Sequence, residues 1–156
     1  MPLSKTLAVK IMNEYWEIEE GKIDSAAFFP LLYKYFNEAT TLFIEGTSIS
    51  KDVAACYKKH SQEGKFFPSR ETIWPRSKQF KCNFTESLLN ELSQLASTHA
   101  EAELMDHLSI YKNEHPVLEW HDSFENAILV SKSISEKTIA NFANSLGLKY
   151  ETAKFS

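Results

Sequence analysis

The sequence predicts an α+β domain with an N-terminal pair of helices, a mainly antiparallel sheet and later helices packed on it. Three observations carry this expectation. Apolar residues recur at helical spacing in five stretches, short runs of branched and aromatic residues lie between them, and two of those runs are close enough to form a hairpin. The chain has 156 residues, which suits one domain, and no linker divides it.

Residues 4–20 read as the first amphipathic helix, with Leu7, Ile11, Tyr15 and Ile18 in register and Gly21 as its stop. Asp24 caps a second helix whose apolar face uses Phe28, Leu31, Leu32, Tyr35 and Phe36; Pro30 is tolerated in its first turns. Residues 40–45 form a β-type run ended by Gly46, and Ser48 or Ser50 then caps a helix carrying Val53, Ala54, Cys56 and Tyr57. From 61 to 78 periodicity is lost, and the segment reads as a long loop lying against the body. A short strand over 79–84 leads to a helix bearing Leu88, Leu89, Leu92 and Leu95, started at Asn83 or Thr85.

Runs 107–112 and 117–122 read as a hairpin around Asn113, Glu114, His115 and Pro116. Residues 127–130 make a further strand. Ser133-Ile134-Ser135-Glu136 opens a helix with Ile139, Phe142 and Leu146, which Gly147 ends, and 148–155 can return as a final strand. The strand, Ser-Ile-Ser and helix order occurs twice, at 42–50 and 128–135, and admits a parallel pair; helix capping explains the echo without shared ancestry.

Bulk properties narrow the function. The net charge is −4, and Arg70 and Arg76 are the only arginines, so nucleic-acid binding is disfavoured. No apolar run approaches a membrane span, and the first ten residues lack a secretory core, so no membrane partner is expected. The two cysteines, Cys56 and Cys82, make no metal or redox motif and read as buried thiols in a reducing, cytoplasmic compartment. With four glycines and no phosphate-loop pattern, no nucleotide cofactor is expected. Neither a metal nor any other cofactor is called for. Glu45, Gly46, Thr47 and Ser48 precede a helix start where free N–H groups can take an anion, but capping accounts for these residues as well.

Two site hypotheses remain. The first is a non-enzymatic protein-binding module, of which an immunity- or antitoxin-like neutralising protein is one version. Its candidate surfaces are the loop with Arg70, Trp74 and Arg76, rich in interface residue types, and the glutamates Glu17, Glu19 and Glu20. These glutamates fall at the negative end of the expected first helix, an unfavourable place that a basic partner compensates. The second is a small metal-binding or acid/base enzyme using His107, Glu119, His121 and Asp122. In the simplest hairpin register Lys112 faces Val117, Leu108 faces His121 and His107 faces Asp122, which separates the two histidines. A one-residue shift instead gathers His107, Glu119 and His121 on one face. A third possibility is a small apolar ligand between the aromatic helices and the sheet. Cys56 and His60 stand side by side at helical spacing and read as a core thiol beside a surface histidine.

Overall fold

Local signals set most elements of the computed structural model, which describes residues 9, 14–64 and 77–154. The strands are β1 (Glu14–Ile18), β2 (Thr41–Gly46), β3 (Lys78–Asn83), β4 (His107–Lys112), β5 (His115–Trp120), β6 (Ile128–Ser131) and β7 (Tyr150–Lys154). The helices are α1 (Ser25–Phe36), α2 (Lys51–Lys59), α3 (Glu86–Ala96), α4 (Glu101–Leu104) and α5 (Glu136–Leu146). Side-chain caps begin four of the five helices: the Asp24 carboxylate accepts from Ala26 N–H, and the hydroxyls of Ser50, Thr85 and Ser135 accept from Val53, Leu88 and Thr138 N–H. Gly147, at φ +72°, closes α5 in the left-handed conformation that glycine adopts without a steric penalty.

The strands form one sheet in the order β3-β2-β4-β5-β6-β1-β7, with every neighbouring pair antiparallel. The α+β expectation therefore holds, while among the described residues the parallel pair admitted by the Ser-Ile-Ser echo does not occur. One of the echoed connections runs from β2 through α2 to the adjacent β3; the other runs from β6 through α5 to β7, across the inserted β1.

The first helix is corrected. Val9 is helical, but Glu14–Ile18 is a strand between β6 and β7. Helical spacing misleads here because both faces of this strand are covered: Trp16 and Ile18 join the main core, while Tyr15 packs with Val9 and Leu129 in a second cluster. A strand buried on both sides shows no alternation of apolar and polar residues.

The main core lies between the sheet and the helices. Phe28 of α1 is fully buried, with ring contacts to Trp120 at 4.7 Å, Phe29 at 5.5 Å and Phe142 at 6.3 Å between centroids. Leu88, Leu89 and Leu92 of α3 are fully buried beside it. The helix α5 is tied to the sheet through Trp16, whose indole N–H donates to Ile134 C=O at 2.9 Å and whose ring lies 3.6 Å from the Lys132 ammonium.

Candidate functional site

Three groups of chemistry-bearing residues are placed by this sheet. The first is acidic. Glu17 on β1 stands directly opposite Glu151 on β7, and β1 continues into exposed Glu19 and Glu20. Like charges directly opposite on a sheet are destabilising, so this pair opposes the fold that holds it. Glu17 also acts on its neighbour two residues away on the same face: burial and the Glu17 carboxylate push the Tyr15 phenol above its ordinary pKa.

Glu20 also lines an open cleft of about 440 Å³ together with Gly21, Lys22, Ile23, Glu101, Phe124 and Glu125. Burial, with Glu125 as a second cause, raises the Glu101 carboxyl above its ordinary value. Among the described residues, none of Glu17, Glu19, Glu20, Glu101, Glu125 and Glu151 lies in an ion pair; the pairs present there join Lys59 and His60 to Glu91, His99 to Asp52 and Lys112 to Glu38. Glu17 and Glu151 thus face each other at the β1–β7 end of the sheet, and Glu20, Glu101 and Glu125 share the cleft with Lys22. The expected position of the glutamates at a helix end is replaced by this cross-strand arrangement, and Glu101, Glu125 and Glu151, which carry no local sequence signal, are added.

The second group lies on the sheet face opposite the main core. The β4–β5 register departs from the simplest hairpin. A two-residue turn puts Lys112 opposite His115 and Tyr111 opposite Pro116; an irregularity then makes Val117 an extra residue, so that Ile110 faces Leu118, Ser109 faces Glu119 and Leu108 faces Trp120. Asn113, at φ 57°, provides the left-handed turn residue, and Pro116 brings no N–H to the irregular position. His107 and His121 consequently share a face, with ring centroids 5.0 Å apart. Glu45 of β2 lies opposite His107, and Glu119 accepts from Val9 N–H at 3.1 Å. Glu45 and Glu119 are 3% and 1% exposed, a depth at which carboxylates are rare. Glu45 also accepts from the Ser77 hydroxyl.

Asp122 is not a carboxylate partner of His107 across the ladder. It follows β5 at φ 49°, its backbone N–H donates to His107 Nδ1 at 3.0 Å, and its carboxylate accepts from Asn126 at 3.4 Å. An Nδ1 that accepts leaves Nε2 to carry the proton of a neutral His107. Phe124, at φ 75°, is strained in the same turn. His107, Glu119 and His121 are together on one face, yet they do not gather as ligands: among the described residues, the one trio with ligand atoms all within 4.8 Å of one another is Cys56, His60 and Glu91.

The third group resolves the Glu45–Ser48 connection. Thr47 donates its N–H at 2.9 Å and its hydroxyl at 3.0 Å to the Asp106 carboxylate, so the anion at this turn is internal. A cleft of about 380 Å³ lies between the end of α1 and β5, lined by apolar Tyr35, Phe36 and Val117 and by polar Glu38, Lys112 and His115 among others. Arg70, Trp74 and Arg76, singled out in the aperiodic loop, lie outside the described residues. No helix among the described residues is long and apolar enough to cross a membrane. No protein-family model, curated protein or solved structure matches the chain.

Proposed function

We propose that the protein is a non-enzymatic binding module whose acidic band, Glu17, Glu19, Glu20, Glu101, Glu125 and Glu151, receives a basic protein. The single observation behind this reading is the Glu17–Glu151 opposition: two carboxylates on facing positions of neighbouring strands, with no ion-pair partner among the described residues. A partner bearing lysines and arginines relieves that repulsion on binding, and complementary charge accelerates encounter and selects the partner. Neutralisation of a cationic toxin or nuclease, in the manner of an immunity protein or antitoxin, is the concrete form. The two buried thiols Cys56 and Cys82, not joined in a disulfide, support a reducing, cytoplasmic setting. The test is affinity capture with the wild type and with the triple variant E17K/E19K/E20K. A basic protein retained by the wild type, released by salt and lost from the variant supports the proposal; equal capture by both refutes it.

A second reading, proton-transfer catalysis, is favoured by the His107–His121 pair, flanked by buried Glu45 and Glu119 and by a strained turn that fixes the His107 tautomer. Chromogenic ester, phosphodiester and glycoside substrates provide its test. Turnover by the wild type that is lost in H107N and H121N supports it; absence of turnover, or turnover retained by both variants, counts against it.

A further inference from the structure

Cys56 and His60 sit four residues apart, one on α2 and one at its C-terminal cap, so they present side by side. The neighbouring helix α3 adds a third group, Glu91, whose Oε1 lies 3.0 Å from His60 Nε2 and 3.0 Å from the Lys59 ammonium. Sγ of Cys56, a ring nitrogen of His60 and a carboxylate oxygen of Glu91 all lie within 4.8 Å of one another. The thiol is buried, with 2% of the residue exposed, while the His60 and Glu91 side chains are 12% and 29% exposed. The sulfur is therefore the buried end of the trio and the carboxylate the end nearest water.

We propose that Cys56, His60 and Glu91 form a zinc-binding site with a fourth position open to water. The donor set matches the metal. Zinc takes thiolate, imidazole and carboxylate ligands in tetrahedral geometry, at about 2.3, 2.0 and 2.0–2.2 Å. Three ligands on such a tetrahedron stand roughly 3.3–3.6 Å apart, inside the 4.8 Å within which the three atoms already lie. Two of the ligands come from one helical face and the third from a packed helix, so the backbone already provides the spacing.

Without metal, the same residues hold a proton and a cation in its place. Burial, followed by the charge of Glu91, pushes the Cys56 thiol up to about 12, so it stays protonated. Hydrogen bonds from His60 and Lys59 hold the Glu91 carboxyl below its ordinary value, so it is ionised. Zinc entry displaces the Cys56 thiol proton to solvent and forms the S–Zn bond; the His60 ring proton passes from Nε2 to Nδ1 through solvent, which frees Nε2 for the metal, and the His60–Glu91 hydrogen bond gives way to two metal bonds. No electron transfer is involved. Lys59 competes for Glu91, so its removal strengthens metal binding.

The experiment is equilibrium dialysis of the purified full chain against zinc, with cobalt(II) as the spectroscopic probe. The site predicts one equivalent of zinc, a thiolate-to-cobalt charge-transfer band that is absent in C56S, and affinity lower by on the order of tenfold or more in H60Q and E91Q. K59M, which removes no ligand, is expected to bind more tightly than the wild type. Circular dichroism of each variant separates loss of ligation from loss of fold; where C56S does not fold, E91Q, K59M and the charge-transfer band in the wild type decide. Absence of stoichiometric metal overturns the proposal, as does binding that E91Q and H60Q leave unchanged or that gives no charge-transfer band.

Discussion

Replacing Glu151 by Gln should stabilise the free protein. Glu151 faces Glu17 across β7 and β1, and residues directly opposite on antiparallel strands have Cβ atoms about 4.5–5.5 Å apart. With the carboxylates splayed to roughly 7 Å in water, the repulsion is about 0.6 kcal/mol. Measured cross-strand effects span about 0.2–1 kcal/mol, in agreement. For a chain of this size that corresponds to a rise in Tm of about 1–3 °C. The assay is thermal and urea denaturation of the wild type and E151Q at about 0.01 M and 1 M salt, where the Debye length falls from roughly 30 Å to 3 Å. The gain should be present at low salt and largely gone at high salt. A loss of stability in E151Q, or a gain indifferent to salt, would mean that these charges do not oppose the fold.

Glu101→Gln should likewise stabilise at neutral pH. The folded protein holds the Glu101 proton more tightly than the unfolded chain does, so ionisation costs folding free energy above the folded pKa; the cost declines as pH falls through that value and is gone below the unfolded pKa. Urea titrations at pH 7 and at pH 3 should therefore show a difference from wild type at the higher pH only. Asp106→Ala removes the acceptor of both Thr47 bonds and should cost about 1–2 kcal/mol in urea denaturation. Asn113→Ala places a residue ill-suited to φ 57° in the β4–β5 turn and should cost roughly 1–2 kcal/mol by the same measurement. Burial pushes both Cys56 and Cys82 up to about 12, so a thiol reagent at pH 8 should label neither in the folded protein, and two equivalents once guanidinium unfolds it.

The parts of the fold legible in the sequence are those decided within a few residues. Asp24, Ser50, Thr85 and Ser135 announce their helices because a cap needs only a hydroxyl or carboxylate near the first turn, and all four accept the expected N–H. Gly147 marks the end of α5 for an equally local reason. Glu14–Ile18 is misread because its conformation is decided by strands more than a hundred residues away, through Tyr15 opposite Ser131 and Ala153. Its core face alone, Trp16 and Ile18, cannot disclose that Tyr15 is covered too.

The same division runs through the sites. That His107, Glu119 and His121 can share a face is legible from strand alternation; which register holds depends on the Val117 irregularity, set by packing of Leu118 and Trp120 toward the main core. Cys56 and His60 are visible as helical neighbours, whereas Glu91 reaches them only through packing of α3 on α2. Glu17, Glu19 and Glu20 stand out as a charge run. Their neighbours Glu151, Glu101 and Glu125 join them only when the chain closes β7 onto β1 and brings α4 to the cleft.

Hydrogen exchange on the protein with its captured basic partner tests the acidic-band proposal most directly. New protection is expected at residues 14–20, in Glu101–Leu104 and in Tyr150–Lys154, with the solvent side of α1 unchanged. Protection confined to the helices, leaving β1 and β7 as they exchange in the free protein, would contradict it.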